Sequence, residues 1–417
     1  MKAGTPPSTR VLFLMNKLTD ETRKSLRGRS RLVHLGRDTE TSQGFVNLPP
    51  FRGSTVLFPD AASLKTYKQR YTYGTHGTPT TDALRDAWTD LAGAAGTVLV
   101  PSGMAAIAVA LMTAVSAGDH LLMTDSAYFP ARNFAEKVLK RMGVETSYYD
   151  PAIGAGIAEL IRPNTRAILT EAPGSQSLEM QDIPAISKAA HARGVCVIMY
   201  NTWATPLFFP PHERGVDMAI EAGTKYLSGH SDLLLGLVSA NADWFPRLQA
   251  CADLFAIPPS PEDVFLALRG LRTMDLRLRE AERQGLALAR WLRERPEVLR
   301  VIHPAMPDYA GHEIWKRDFS GSSGLFSIVL KPVSDAAVAA MLDGLELFGM
   351  GYSWGGYESL VIPFDCASYR TATRWAPGGP TLRFTVGLED IEDLKADLDR
   401  GFARLRAFDP MQDNPGK

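Results

Sequence analysis

Lys225 is the residue with the most chemistry open to it. It stands in "EAGTKYLSGHSDLLLG", residues 221 to 236, among small, apolar and hydroxylic neighbours. Such an amine can be solvated or can pair with a carboxylate. It can also be desolvated, its pKa lowered until it condenses with a carbonyl to form a Schiff base. The run Ser228 to Asp232 that follows is polar and turn-rich, like a loop edging a site, and His230 within it reads as structural. Upstream, "VPSGMAAI", Val100 to Ile107, ends an apolar run in a Ser-Gly turn and opens a helix at or near Met104. The free amides and dipole of a helix start suit a phosphate, and Gly103 lets the backbone come close, although such turns also occur without a ligand. In "TLRFTVGLED" Arg383 alternates with apolar residues on an expected strand. Its fork suits a carboxylate, and a place at a domain interface is the equal alternative. "GYSWGGYESL", Gly351 to Leu360, reads as a tight loop carrying exposed Tyr352 and Trp354. Finally, Tyr200 in "MYNTW" ends the apolar run that begins at Val195. The end of a buried strand is where α/β proteins hold ligands.

These groups need a frame, and the hydrophobic pattern supplies one. "TVLVPSG", "HLLMTD", "RAILTEAPG" and "VCVIMYNTW" read as short apolar strands. Helical stretches separate them, among them "TDALRDAWTDLAGA" and "MAAIAVALMTAVSAG", the second closed by Gly118. Strand and helix alternating at this spacing predict an α/β fold with a mainly parallel, doubly wound sheet. Past about residue 257 the pattern changes. "ALRGLRTMDLRLREAERQGLALARWLRER" reads as one long amphipathic helix, and "GLFSIVL", "SLVIPF" and "TLRFTVGLE" as strands of a smaller α+β unit. "IEDLKADLDRGFARLRAF" is a final amphipathic helix. The expected division is an irregular N-terminal arm over 1–75, a large α/β domain over 76–256 and a small C-terminal α+β domain over 257–417.

At 417 residues the chain is long enough for two cores. Its formal net charge of −1 and lack of a basic patch or tail argue against nucleic-acid and membrane-surface partners. Cys196, Cys251 and Cys366 are widely separated with no CxxC pair, so no metal site or disulfide framework is expected, and Cys196 reads as a core residue. The apolar run Val11 to Met15 is too short for a secretory segment, and no run is long enough to span a bilayer. The cytoplasm is the default.

Eight segments together resemble the pyridoxal-phosphate enzymes of cysteine and methionine metabolism, on the fold-type-I, aminotransferase-like scaffold. They are "PSGMAA", "TDSAY", "TEAPGS", "NTWATP", "GTKYLSGHSD", "RDFSGSSGLFS", "YSWGGYESL" and "LRFTVGLED", in unbroken order from about residue 30 to 408. "SWGGYESL" and "WKRDFSGSSGLFS" are similar to the β-lyase branch. The resemblance implies pyridoxal 5'-phosphate as cofactor and a small amino-acid substrate. It implies that Lys225 forms the link to the cofactor and serves as catalytic base. Tyr128 stacks over the ring. Gly103 and Met104 hold the phosphate through their amides, with Thr224 adding a hydroxyl. Tyr73 serves the phosphate of a neighbouring subunit in a homotetramer built as a dimer of dimers. Arg383 binds the substrate carboxylate, with Ser353 and Trp354 lining the same pocket. The implied reaction is cleavage of cystathionine to homocysteine, pyruvate and ammonia, with cysteine-like conjugates as further substrates.

Two positions depart from the family pattern. Tyr200 stands where the family has an aspartate that pairs with the pyridine nitrogen and keeps it protonated. A phenol, with its pKa of about 10, is neutral at pH 7, offers one hydrogen bond, and crowds the ring. Thr75 stands where an arginine would complete the phosphate grip of Tyr73, and His76 follows it. The alternatives this opens are another reaction on the same scaffold (a γ-lyase, a desulfhydrase or a racemase) or a catalytically impaired homologue.

Overall fold

The structure, a computed structural model, describes residues 19–37 and 42–408, so the apolar run Val11 to Met15 lies outside it. Seven strands make one sheet: β1 (Gly96–Val100), β2 (His120–Thr124), β3 (Glu145–Tyr149), β4 (Thr165–Glu171), β5 (Cys196–Tyr200), β6 (Met218–Ala222) and β7 (Gly236–Ala240). Their spatial order is β1-β7-β6-β5-β4-β2-β3. Pairs from β3 across to β6 are parallel, and β7 runs antiparallel to both of its neighbours. This is the mainly parallel sheet that the alternating pattern predicts. The strands are continuous apolar runs because helices cover both faces. In β5, Cys196, Val197, Ile198 and Met199 are each at most 1% exposed. On one face the helix Gly103–Ala114 sets Ile107 and Leu111 into a core with Leu121, Leu169, Ile198 and Ile220.

A second, antiparallel sheet has the order β10-β11-β9-β8, from β8 (Val298–Ile302), β9 (Leu325–Leu330), β10 (Leu360–Phe364) and β11 (Thr381–Thr385). Its Phe326, Leu382 and Phe384 share one buried cluster with Met199, Trp203 and Phe208 from the other sheet's side. The Trp203 indole donates to the Leu325 carbonyl at 3.1 Å. The Ser327 hydroxyl of β9 donates to the Gln176 carbonyl at 2.8 Å, so the loops that follow β4 and β5 both meet β9, and the site lies at that seam.

Three sequence expectations need correction. The single long helix is two, Pro261–Leu271 and Met274–Arg293, with Thr273 outside helical geometry at φ −111 and ψ 6. The break lets Gly270 lie against the loop that carries Lys225: a Cβ there would meet the Leu227 carbonyl oxygen at 2.3 Å. Arg277 then ties the bend down, donating to the carbonyls of Gly270 at 2.8 Å and Tyr226 at 2.7 Å. Next, the helix expected to close at Gly118 ends at Ala114. β-Branched Val115 leaves it extended, and Gly118 takes its left-handed φ of +87 in the following turn. Finally, the arm is less irregular than read, with helices at Asp20–Ser25, Gly28–His34 and Ala61–Thr66. No described helix is long and apolar enough to cross a membrane.

Candidate active site

Lys225 sits in the turn that follows β6. Its amide donates to the Ala222 carbonyl at 3.0 Å. Neighbouring Thr224 clamps the turn, its hydroxyl accepting from Leu235 N at 3.1 Å and donating to Leu235 O at 3.3 Å. The Lys225 Nζ donates to Ser353 Oγ at 2.7 Å and lies 5.5 Å from the centre of the Trp354 ring. No carboxylate pairs with it among the described residues. Burial first, and then the nearby Arg383 cation, lower its pKa to about 8. Of the three states open to this lysine, the structure selects the desolvated amine.

The amine faces a cavity of about 60 Å³ whose walls include Tyr128, Tyr200, Tyr352, Trp354 and Arg383. Arg383 comes from the middle of β11, opposite Ser327 of β9. It is 7% exposed. One nitrogen donates to the Tyr352 carbonyl at 2.9 Å, and no carboxylate pairs with it among the described residues. Burial brings even this guanidinium down to about 10. A buried cation without a counterion, facing a cavity, is arranged to receive an anion. Tyr128, half-exposed, follows the loop after β2. Its amide donates to Glu171 Oε2 at 2.7 Å. Glu171 ends β4, is buried, and is pushed by burial up to about 8.

Tyr200 ends β5, opposite Glu171 of β4 and Ile220 of β6. Its ring faces that of Tyr128, with centres 6.1 Å apart and planes 17° from parallel. Its hydroxyl reaches toward the start of the helix Gly103–Ala114. A Cβ built on Gly103 would lie 3.5 Å from Tyr200 Oη and 2.9 Å from Ala222 Cβ, so only glycine fits there unstrained. The Ser102 side chain caps the helix by accepting from Ala105 N at 3.1 Å. First-turn amides such as those of Gly103 and Met104 have no acceptor within a helix.

The structure therefore brings Lys225, Ser353, Trp354, Arg383, Tyr128, Tyr200 and the Gly103–Met104 helix start together. Tyr73 is not among them: it is exposed, bridges to Thr55, and lines no wall of this cavity. Exposed His230 is also outside, its ring Nδ1 held 2.6 Å from the Ser228 carbonyl.

Sequence reasoning missed two parts of the frame. One is Glu171, which fixes the Tyr128 backbone. The other is a strap, residues 366–375, that runs between β10 and β11 and is pinned to the loops of the large sheet. Fully buried Asp125 accepts from Arg132 Nη1 at 2.9 Å, Thr371 N at 3.0 Å, and the Thr373 amide and hydroxyl at 2.8 Å each. Burial alone would raise its pKa, yet these donors hold it below the usual carboxylate range. Arg370 pairs through both nitrogens with Glu179, at 2.8 and 3.0 Å. "TDSAY" and "SYRTATRW" contain Asp125, Thr371 and Thr373, but nothing in either segment signals that they meet.

A protein-family model described as Cys/Met metabolism PLP-dependent enzyme matches residues 29–403. A protein of Rhizobium johnstonii is 52% identical over 382 residues, 91% of this chain and 96% of its own. The cystathionine beta-lyase MetC of Escherichia coli (strain K12) is 42% identical over 388 residues, 90% of this chain and 98% of its own. Among solved structures, a cystathionine gamma synthase of Xanthomonas oryzae pv. oryzae, in complex with aminoacrylate and cysteine, superposes with a TM-score of 0.85 at 30% identity, covering 92% of this chain and 99% of its own.

Proposed function

The chain belongs to the Cys/Met metabolism PLP-dependent enzyme family, and on that premise we propose that it is a carbon–sulfur β-lyase cleaving L-cystathionine to homocysteine, pyruvate and ammonia. Cysteine-like S-conjugates are further substrates. The observation that carries the reading is the Lys225 amine, desolvated and paired with no carboxylate among the described residues, lining one cavity with the buried Arg383 guanidinium.

The residues fit pyridoxal phosphate at its ends. Lys225 supplies an amine for the aldehyde. The helix start at Gly103 and Met104, beside the Thr224 turn, supplies amides for the phosphate. Tyr128 supplies a ring face. Between these anchors the space is taken by the Tyr200 ring.

When bound, the cofactor supplies an aldehyde for an amine and a ring that takes up the electron pair left at Cα. The protein's residues do the rest. Arg383 holds the substrate carboxylate with two parallel N–H groups, which fixes Cα near Lys225. Lys225, once neutral, takes the α-proton as general base. Ser353 Oγ accepts from its Nζ and sets where that amine points. Loss of the thiolate from Cβ gives homocysteine, and water converts the three-carbon remainder to pyruvate and ammonia. Burial lowers the Lys225 pKa to about 8, so the free amine gives up its proton more readily than an exposed lysine does.

A second reading is favoured by Tyr200 alone. It stands where the family resemblance expects a carboxylate to pair with the cofactor's ring nitrogen, and a neutral phenol in that place would leave the bound ring a weaker electron sink, which suits a slower or different reaction on the same scaffold, such as γ-elimination or racemisation.

The proposed assembly is a homotetramer in the cytoplasm, divided as an arm to residue 75, a cofactor-binding unit over 76–256 and a small unit over 257–417. Exposed Tyr73 fits the part of a residue that serves a neighbouring subunit. Borohydride reduction of protein loaded with pyridoxal phosphate, followed by peptide mapping, tests the site. The pyridoxyl group is expected on Lys225, and a label on another lysine overturns the assignment.

A further inference from the structure

We propose that Tyr200 is a gate: its ring fills the slot between Tyr128 and the Gly103 helix start, so that pyridoxal phosphate binds only after Tyr200 turns out of it. The inference rests on the cofactor reading above and adds to it a conformational step.

Four observations carry it. First, the register of β5 against β4 and β6 sets Tyr200 beside Glu171 and Ile220, on the sheet face covered by the helix Gly103–Ala114. The side chain therefore packs toward that helix while walling the cavity at the seam. Second, its ring already faces Tyr128, centres 6.1 Å apart and planes 17° from parallel. Carbon atoms in contact need about 3.5 Å of separation, so a ring held between two others needs about 7 Å. The two tyrosines as placed do not admit a third ring. Third, Tyr200 Oη comes within 3.5 Å of a Cβ position on Gly103, so the phenol spans the slot from the strand end to the anion-binding helix start. Fourth, the volume left beside Lys225 is about 60 Å³. That is well short of the roughly 150 Å³ that holds a benzene-sized ring.

Tyr200 is also placed so that it can move. It is the last residue of its strand, and the helix start that its hydroxyl approaches is a glycine with no side chain to hold it. The closed arrangement leaves the chain's own aromatic pair in the slot, and only the open fraction is competent to bind. Apparent affinity is then reduced by that fraction, and at high ligand concentration the opening rate limits binding.

Rapid mixing of cofactor-free protein with pyridoxal phosphate tests this, read by the visible absorbance of cofactor joined to Lys225. Wild type is expected to give a rate that levels off as pyridoxal phosphate is raised. Tyr200→Ala is expected to give a rate that climbs in proportion to concentration and is at least tenfold faster at the highest concentration. Tyr200→Phe keeps the ring and is expected to level off like wild type, which assigns the effect to the ring and not to the hydroxyl. A wild-type rate strictly proportional to concentration overturns the gate by itself, whether or not the alanine variant folds. So does an alanine variant that loads at the wild-type rate. If neither wild type nor Tyr200→Ala, shown folded by circular dichroism, acquires the absorbance, the cofactor reading falls and the gate with it.

Discussion

An amine kept from water without a counterion is costly, and that cost is the clearest mark of function at the residue scale. Lys225 has a folded pKa of about 8 against an ordinary 10.5. Between those values the unfolded chain binds more protons, so stability rises with pH across that window and the penalty is fully present below pH 8. Replacing Lys225 by Met is expected to raise the unfolding free energy of cofactor-free protein by roughly 2 kcal/mol at pH 7, allowing for the lost Ser353 bond, with the gain fading by about pH 10. Denaturant titrations at the two pH values check this, and an equal effect at both would show that the amine is not desolvated. Arg383→Ala removes the only group placed to grip a carboxylate among the described residues of the cavity wall. Its kcat/KM is expected to fall about 100-fold, close to 3 kcal/mol. An unchanged kcat/KM would make this arginine a structural residue of the seam. Lys225, Gly103 and Arg383 were legible in the sequence because each is an odd residue for its surroundings. Glu171 was not, because its role depends on a backbone amide 43 residues away.

At the scale of elements, the strap over residues 366–375 ties the strand that carries Arg383 to the loop that carries Tyr128. Asp125 is its main pin. Asp125→Asn leaves Arg132 buried without its partner and weakens the bonds to Thr371 and Thr373. The expected loss is about 3 kcal/mol of stability, read from the shift of a urea midpoint. The pKa of Asp125 is depressed, so its contribution is present above the unfolded carboxylate value and disappears as pH falls through the folded one. The variant and wild type should therefore converge in acid, and a gap that persists there would mean that packing, not charge, holds the strap. β1, β2, β4, β5, β9, β10 and β11 were legible because short apolar runs have few other homes, whereas β3, β6, β7 and β8 went unread: β3 (ETSYY) and β8 (VLRVI) carry polar residues, and β6 and β7 lie beside the Lys225 segment that was read for its chemistry. The division of the long helix at Arg272–Thr273 was not, because its amphipathic period continues unbroken through a bend imposed by Gly270 packing on the Lys225 loop.

At the scale of the molecule, two sheets share one core at their seam, and the site lies on that seam. The exposed Tyr73 and its arm fit an assembly in which subunits complete one another's sites. Sedimentation is expected to give a tetramer, and a fully active monomer at micromolar concentration would refute that. The expected assembly rests on resemblance alone, since one chain's periodicity says nothing of its neighbours. The central claim is the bond that breaks. The measurement that tests it most directly is product analysis after protein loaded with pyridoxal phosphate is given L-cystathionine. Homocysteine and pyruvate are expected in equal amounts, with both lost in Lys225→Ala. Cysteine with 2-oxobutyrate, D-cystathionine alone, or products that persist without Lys225 would contradict it.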